Sequence, residues 1–530
     1  MMLARQSKLN MFMVLLSYLY ATDGARILGI FPMPAKSHMI VHSALMKELA
    51  RRGHEVTVFS PFPEKFPIPN FTDIEFKLSY SELLQVSVPG MLDMFNMDKL
   101  WFFQTEKIFW DIGIGLCNIF LQDDAIQRLL FSSKEEFDLL ITSAFTYDCV
   151  FGMGYKLNIP IVKICPFGGR EWMDEWFANP SPYAYVPEIL QEHSERMNLW
   201  QRIHNTLTEI HAKLGRIFYV IPQHDAILRK HLHSNDIPSI WELQKSTALI
   251  LFNNHFSTSY PRPLMPNMVE VGGMHISPPK KLCADLQRYL DESSDGVIFF
   301  SMGSNLRSSN MKNATRNALL QAFSKLKQKV LWKWETESLP GKPNNVKLGK
   351  WLPQSDILAH PNVRLFMTHG GLLSTQEAVV RGIPIVGIPI YGDQGYNLAK
   401  IVSAGIGIKL DVGNITTDSV LWAVNEVLNN PRYRENMQRL SRIYRDQPLT
   451  PLEQAAFWTE YVIRHKGAPH MRSAALDLSW YQYFLLDVIA VLSLVAACVL
   501  SAVFLISRAV IRRISYITPR IIVHGSKKNN

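Results

Sequence analysis

The chain contains little cysteine and little charge for its length of 530 residues. Its five cysteines lack the dense spacing of a disulfide-rich fold; they allow one bridge but do not say which residues form it. Charged residues are only 19% of the chain and hydrophobic ones 47%, which is apolar for a wholly soluble protein and indicates membrane segments. The net charge of +9 is moderate and its basic residues are scattered except at the C-terminus, so nucleic acid is not an expected partner.

The N-terminal segment has the parts of a secretory signal peptide. Arg5 and Lys8 precede an apolar run over residues 11–20, and small residues follow up to residue 24. The run is too short to span a bilayer comfortably, so residues 1–24 are predicted to be cleaved and the body to fold on the lumenal side. That compartment permits glycosylation at three N-x-S/T sequons, headed by Asn70, Asn313 and Asn414.

A second apolar segment lies near the C-terminus. Residues 484–506 are long enough to span a bilayer, and the arginines that follow from Arg508 onwards have no acidic residue among them. The positive-inside rule therefore predicts a cytosolic tail over residues 507–530. Lys527 and Lys528 resemble the dilysine retrieval signal of the endoplasmic reticulum. These features predict a single-pass type I protein of that membrane.

The first βαβ pattern has no glycine-rich phosphate fingerprint. Residues 26–31 are a predicted strand, and His38 opens a predicted helix that runs to about Arg52. His38 thus sits at a strand-to-helix junction, where ligands meet such sheets, although a capping or surface histidine fits the residues alone as well. His42 follows one helical turn later, but no third ligand is apparent, so no metal site is predicted.

The stretch from Trp351 to Gln394 is the most informative part of the chain. Residues 364–367 are a predicted buried strand, His369-Gly370-Gly371 a tight turn, 372–381 a helix, and 385–388 the next strand. Gly382 is placed to be the left-handed stop of the helix. This strand-turn-helix-strand unit is the repeating piece of a doubly wound sheet.

Side chains suited to a nucleotide sugar follow the predicted strands. The two glycines let backbone N–H groups approach a phosphate, the helix start adds a favourable dipole, and His369 adds a donor. A turn at Gly303-Ser304 gives a second backbone contact for a diphosphate. Trp351 offers a flat face and Gln354 an amide for the base, Glu377 can accept from ribose hydroxyls, and Asp393 and Gln394 can bind those of a sugar.

Residues 351–394 resemble, almost position for position, the signature of the UDP-glycosyltransferase family, whose animal members include the UDP-glucuronosyltransferases. Similar segments occur at 261–264, 271–273, 300–304 and 446–448. The resemblance implies an α/β fold of GT-B type, with two Rossmann-like domains facing a cleft. The donor-binding residues it implies are Ser304, Trp351, Gln354, His369, Gly370, Gly371, Ser374, Glu377, Asp393 and Gln394.

The implied domain organisation follows the chain. A signal peptide (1–24) precedes an acceptor-binding domain (25–275) and a UDP-sugar-binding domain (281–445). Helices that pack back on the first domain and a membrane-proximal segment (446–480) lead to the transmembrane helix (484–506) and the tail (507–530).

The resemblance makes His38 the general base, and a histidine suits that role because its pKa lies near operating pH. The family keeps an aspartate after the strand at residues 138–141 to orient this histidine. Here Ser143 or Ala144 occupies that place, and the closest acid is Asp148. Asp148 either reaches His38 or caps the following helix, and the residues favour neither.

The resemblance implies inverting transfer of glucose or glucuronate from UDP to a hydroxyl of a small lipophilic acceptor. UDP-sugar is then a co-substrate, no cofactor or metal is expected, and a homo-oligomer is possible. One alternative is a non-catalytic lumenal partner subunit that binds nucleotide sugars, supported only by the missing acid. An epimerase on the same fold is disfavoured by the signal peptide and the anchor.

Overall fold

The structure is a computed structural model that describes residues 24–90, 95, 97, 100–131 and 136–525, with side chains up to residue 516. The predicted signal peptide, apart from Gly24, and the dilysine pair lie outside the described residues. The chain forms two compact units, divided between Arg472 and Ser473. The first unit contains two separate β-sheets, each parallel throughout.

The first sheet has seven strands in the order β3-β2-β1-β4-β5-β6-β7. Its central strands are apolar and fully buried, as parallel strands covered on both faces must be. The strands are β1 (Arg26–Ile30), β2 (Glu55–Ser60), β3 (Phe71–Glu75), β4 (Leu139–Ser143), β5 (Ile161–Cys165), β6 (Thr247–Phe252) and β7 (Met268–Glu270).

The second sheet has six strands in the order β10-β9-β8-β11-β12-β13. Residues 271–283 connect it to the first sheet without a strand or helix. The strands are β8 (Val297–Ser301), β9 (Lys329–Lys333), β10 (Val346–Gly349), β11 (Val363–Thr368), β12 (Ile385–Gly387) and β13 (Gly407–Lys409).

Helices cover both faces of the sheets. Those of the first half are α1 (Lys36–Arg51), α2 (Tyr80–Ser87), α3 (Phe102–Phe120), α4 (Asp124–Phe131), α5 (Val150–Leu157), α6 (Glu171–Glu175), α7 (Leu199–Gly215), α8 (Ile221–His231) and α9 (Ile240–Leu243). A π-helical turn (Arg216–Val220) joins α7 to α8. Those of the second half are α10 (Ala284–Asp291), α11 (Asn313–Ser324), α12 (Gln354–Leu358), α13 (Leu372–Arg381), α14 (Gln394–Ser403), α15 (Thr417–Asn429), α16 (Pro431–Arg445) and α17 (Pro451–Arg464).

The predicted unit around the histidine turn is confirmed in its elements. Helix α13 spans the predicted residues and ends at Gly382, whose φ of 72° is the left-handed conformation that glycine adopts without cost. After the second sheet, α17 returns to pack on α1 and β6. Its buried Ala455, Ala456 and Val462 belong to the apolar core on that side of the first sheet.

One disulfide joins Cys117 of α3 to Cys149, the residue just before α5. The cysteine spacing allowed one bridge but did not determine which residues form it. The bridge fixes the end of the loop that follows β4 against a neighbouring helix.

The second unit consists of α18 (Trp480–Tyr483) and α19 (Leu486–Gly525), preceded by a short 3-10 turn. Leu486–Tyr516 of α19 is long enough to cross a membrane, and an 18-residue stretch within it has a mean hydropathy of 2.9. The observed helix continues well beyond the predicted end of the span at residue 506, through the basic segment that follows it.

Candidate functional site

The site lies at the carboxyl ends of both sheets. In each sheet the strand order reverses beside the first strand, β1 next to β4 and β8 next to β11, and such switch points are where ligands bind. The loops after these strands line a single cavity of about 630 Å³. The cavity is large enough for a nucleotide sugar and a small acceptor together.

The histidine turn forms one wall of this cavity. Gly370 takes a φ of 85°, and a Cβ there would lie 2.6 Å from Leu398, so the turn requires glycine. Gly303 and Gly371 flank the His369 ring; a Cβ on either would come within 2.6 Å of it. The glycines therefore leave the space that the imidazole occupies.

His369 is neutral in this environment. Burial lowers its pKa to about 4, with a smaller contribution from the nearby Lys333 ammonium. Its Nδ1 lies 3.3 Å from the Thr368 hydroxyl, and the ring lines the cavity. A neutral imidazole beside an uncapped helix N-terminus is suited to donate one hydrogen bond to an anion. Ser304, after β8, lines the same wall.

Gln354, Ser374 and Glu377 form one hydrogen-bonded cluster. The Gln354 amide donates to the Ser374 hydroxyl at 2.9 Å and to Glu377 at 2.6 Å. Its N–H groups are therefore engaged, and only its carbonyl oxygen remains for a base edge. Burial raises the pKa of Glu377 to about 7, so this carboxyl is partly protonated at neutral pH.

Asp393 and Gln394 are held by their neighbours. The Gln394 carbonyl oxygen accepts from the backbone N–H groups of Ile390 and Tyr391 at 2.8 and 3.2 Å, which leaves its NH₂ for a ligand. Asn397 donates to Asp393 and to the Gly370 carbonyl, both at 3.0 Å. Burial raises the pKa of Asp393. Asn397 was missed from the sequence, although it lies one helical turn after Asp393.

His38 faces the same cavity from the first sheet. It lies in the first turn of α1, with its Nδ1 buried and without a hydrogen-bond partner among the described residues. Burial lowers its pKa to about 4. On the loop after β4, the Phe145 ring contacts the His38 ring edge to face, with 5.3 Å between the ring centroids.

Asp148 does neither of the two things predicted for it. Its Oδ2 accepts from Arg216 Nη1 at 2.6 Å, and both side chains are buried. The cap position of α5 is Cys149, with no side-chain cap hydrogen bond. The prediction that Asp148 orients His38 is therefore wrong in this structure, because the guanidinium beneath the loop attracts the carboxylate more strongly than a neutral, buried imidazole could.

The part of the cavity near His38 is lined mainly by apolar and aromatic side chains. They come from the loops after β1, β4 and β5, from α2, α3 and α6, and from the segment before α7: Met33, Tyr80, Phe109, Ile112, Phe145, Phe167, Trp172, Ile189 and Leu190. The sequence alone assigned none of these residues to a binding site. Their chemistry suits a flat, lipophilic molecule.

The remaining predicted residues are accessible. Trp351 lines the cavity with 58% of its surface exposed. The sequon residues Asn70, Asn313 and Asn414 are exposed as well. Within the described residues, no three His, Cys, Asp or Glu side chains are grouped to hold a metal ion.

Comparison with known proteins identifies the family to which the chain is similar. The family model described as "UDP-glucoronosyl and UDP-glucosyl transferase" matches residues 26–521. UDP-glycosyltransferase UGT5 of Dactylopius coccus is 38% identical over 502 residues, covering 93% of this chain and 93% of that protein. UDP-glucuronosyltransferase 2B19 of Macaca fascicularis is 33% identical over 491 residues, covering 89% and 90%.

Solved structures agree in fold. CalG4, the calicheamicin glycosyltransferase, has a TM-score of 0.57 at 18% identity and covers 84% of this chain and 99% of its own. Spinosyn forosaminyltransferase SpnP has a TM-score of 0.53 at 19% identity. With the family model matching nearly the whole chain and relatives above 30% identity along its length, the chain belongs to the UDP-glycosyltransferase family.

Proposed function

We propose that the protein transfers glucose or glucuronate from a UDP-sugar to a hydroxyl of a small lipophilic acceptor, with inversion at the anomeric carbon. The observation that supports this most is the shared cavity: the histidine turn of one sheet and His38 of the other face the same space. The donor would lie on the second sheet and the acceptor in the aromatic half of the cavity.

His38 takes the proton in this proposal. The acceptor O–H bond breaks as its oxygen attacks the anomeric carbon, the proton passes to the imidazole, and the bond from that carbon to the UDP oxygen breaks. Since Nδ1 is buried, Nε2 is the nitrogen available to the acceptor. Attack from the face opposite UDP inverts the anomeric centre.

The second sheet stabilises the leaving group. Negative charge grows on the diphosphate as the bond to the sugar breaks, beside His369 and the backbone N–H groups at the start of α13. Donors that are already in place cost no reorganisation at that moment. Asp393 and the free NH₂ of Gln394 would hold sugar hydroxyls that glucose and glucuronate share, so they do not discriminate between the two.

A donor panel tests the proposal. Membrane fractions that contain the full chain are given UDP-glucose, UDP-glucuronate and other UDP-sugars with a small phenol, and the transferred sugar is identified by mass. We expect transfer from one of the first two. The stereochemistry of the product, read by NMR, tests inversion.

The unpartnered Nδ1 of His38 is the one observation that favours the non-catalytic alternative. Binding of UDP without turnover of any phenol would support that alternative. Turnover that is lost in the His38 variant described below would exclude it. We also propose the endoplasmic reticulum as the compartment, with the apolar α19 as the anchor.

A further inference from the structure

Lys36 reaches across the cavity to the base-binding residue of the other sheet. It is the first residue of α1, two positions before His38, and its ammonium lies 3.8 Å from the centre of the Trp351 ring. A lysine over an indole face is attracted by the ring quadrupole. Nothing in the sequence resemblance involves Lys36.

This ammonium belongs to a cluster of positive charge. Burial lowers the pKa of Lys36, and the neighbouring Lys65 and Lys333 lower it further; no carboxylate is among the causes. Lys333 lines the cavity, and Glu335 at 2.9 Å offsets its charge. The first turn of α1 contains no acidic residue and its N-cap Ala35 has no capping side chain, so the helix adds to the positive potential. Such a site attracts an anion.

The diphosphate is the anion that the cavity would bring there. Lys333 acts on both Lys36 and His369, so the predicted phosphate-binding turn lies within the field of the same cluster. A base stacked on Trp351 would place its atoms about 3.5–4 Å from the ring, which is the space that the ammonium fills. Lys36 and a base on that face are therefore mutually exclusive.

We propose that Lys36 is a donor-binding residue supplied by the acceptor-side sheet: the base displaces its ammonium from Trp351, and the ammonium turns onto the diphosphate. The inference rests on the proposed UDP-sugar site. The flexible four-carbon stem of lysine allows this exchange while α1 stays in place. Lys36 and His38 share the first turn of α1. Donor binding through Lys36 would therefore also position the His38 imidazole beside the sugar.

Binding of two ligands distinguishes the contact of Lys36 with the diphosphate from its contact with Trp351. UDP carries base and diphosphate, and uridine carries the base alone. With purified full-length protein in detergent, calorimetry should show that Lys36→Met weakens UDP binding about tenfold, the usual effect of losing one charged hydrogen bond. Uridine should bind equally well or more tightly, because its competitor for Trp351 is gone. Lys36→Arg keeps the charge and should retain most of the UDP affinity.

Lys47→Met is the matched control, since Lys47 lies on the same helix and pairs with Glu64 at 2.6 Å; it should leave both affinities unchanged. Equal UDP affinity in Lys36→Met and wild type would overturn the inference, as would an equal loss for UDP and uridine. Failure of the wild-type protein to bind UDP at all would instead remove the proposed function, and this inference with it.

Discussion

At the scale of single residues, burial rather than pairing sets the protonation of the two functional histidines. His38 and His369 both have their pKa lowered to about 4, with desolvation as the main cause. Both are therefore neutral near pH 7, which suits the proton acceptance proposed for His38 and the hydrogen-bond donation proposed for His369. A carboxylate partner would have raised the pKa of His38, and none of the described residues provides one.

The pH dependence of transfer should reflect this. The base works when it is neutral, so a lowered pKa extends activity towards acid: kcat/KM should stay level from pH 7.5 down to about 5 and fall only as pH nears the pKa of about 4. If the base were an exposed histidine, kcat/KM would instead fall near pH 6.5. Glu377, whose pKa is about 7, could also produce an inflection in this range, so the profile is measured in Glu377→Gln as well. An inflection near pH 6.5 that persists in this variant would mean that His38 is solvated or paired with an acid.

His38→Gln should lower the rate with a phenol by about 10²–10⁴-fold, the usual contribution of a general base, while the Kd for UDP stays close to normal. The measurement is kcat with saturating donor, beside calorimetry with UDP. His204→Ala, which changes an exposed histidine, is the control and should be fully active. A fully active His38→Gln would remove His38 from the mechanism.

Asp148→Asn should lower the stability of the fold but leave the catalytic rate almost unchanged. The change leaves Arg216 as a buried charge without its partner, which costs about 3–5 kcal/mol, less what the amide oxygen still accepts. Thermal unfolding should show a clear drop in Tm, with kcat per folded molecule almost unchanged. Asp285→Asn breaks a surface pair with Lys347 and should change the Tm little. A normal Tm with a much reduced kcat would restore the link to His38.

At the scale of elements, the site is built from the turns that follow parallel strands. The turn between β11 and α13 brings backbone N–H groups and His369 to the cavity because its glycines lack a Cβ. The loop after β4 is held by the bridge from Cys149 to α3 and by the ion pair of Asp148. Helices and strands supply the frame, and the chemistry lies in the turns.

Gly371→Ala tests the turn directly. The residue has extended backbone, with φ −61° and ψ 141°, which alanine adopts without strain, but its Cβ would lie 2.5 Å from His369 Nε2 and push the ring aside. UDP affinity should fall by about tenfold or more, with the Tm nearly unchanged. Gly413→Ala has open space around it and is the control. Normal UDP binding by Gly371→Ala would place the diphosphate elsewhere.

At the scale of the whole molecule, two parallel sheets share one cavity within a single compact unit, and a separate apolar helix follows it. The last helix of the first unit, α17, packs on α1, the helix that begins beside His38. The chain thus leaves the second sheet and returns to the first before the apolar α19 begins.

Protease protection tests the predicted topology. Protease added to sealed microsomes should remove only residues beyond about Arg508, because the bilayer shields the lumenal body. Detergent should expose the body to digestion, which serves as the control. Digestion of the body without detergent would contradict the lumenal assignment.

The sequence by itself determined the unit around the histidine turn and the family. Buried strands such as β1 and β11 are short apolar runs, and Gly382 marks the end of α13, so local pattern was enough to place them. The predicted donor residues, apart from Ser304, come from one stretch of the chain, and the structure brings nearly all of them to one cavity.

Only the tertiary structure decided the contacts between distant segments. Asp148 meets Arg216 across 68 residues, and Cys117 meets Cys149 across 32, because the π-helical turn after α7 and helix α3 pack beside the loop after β4. The binding of the Gln354 amide to Glu377, and the contact between Lys36 and Trp351, likewise depend on how helices and sheets pack. A charged side chain pairs with the group that tertiary packing places beside it. Because that group is distant in sequence, the local sequence pattern does not predict it.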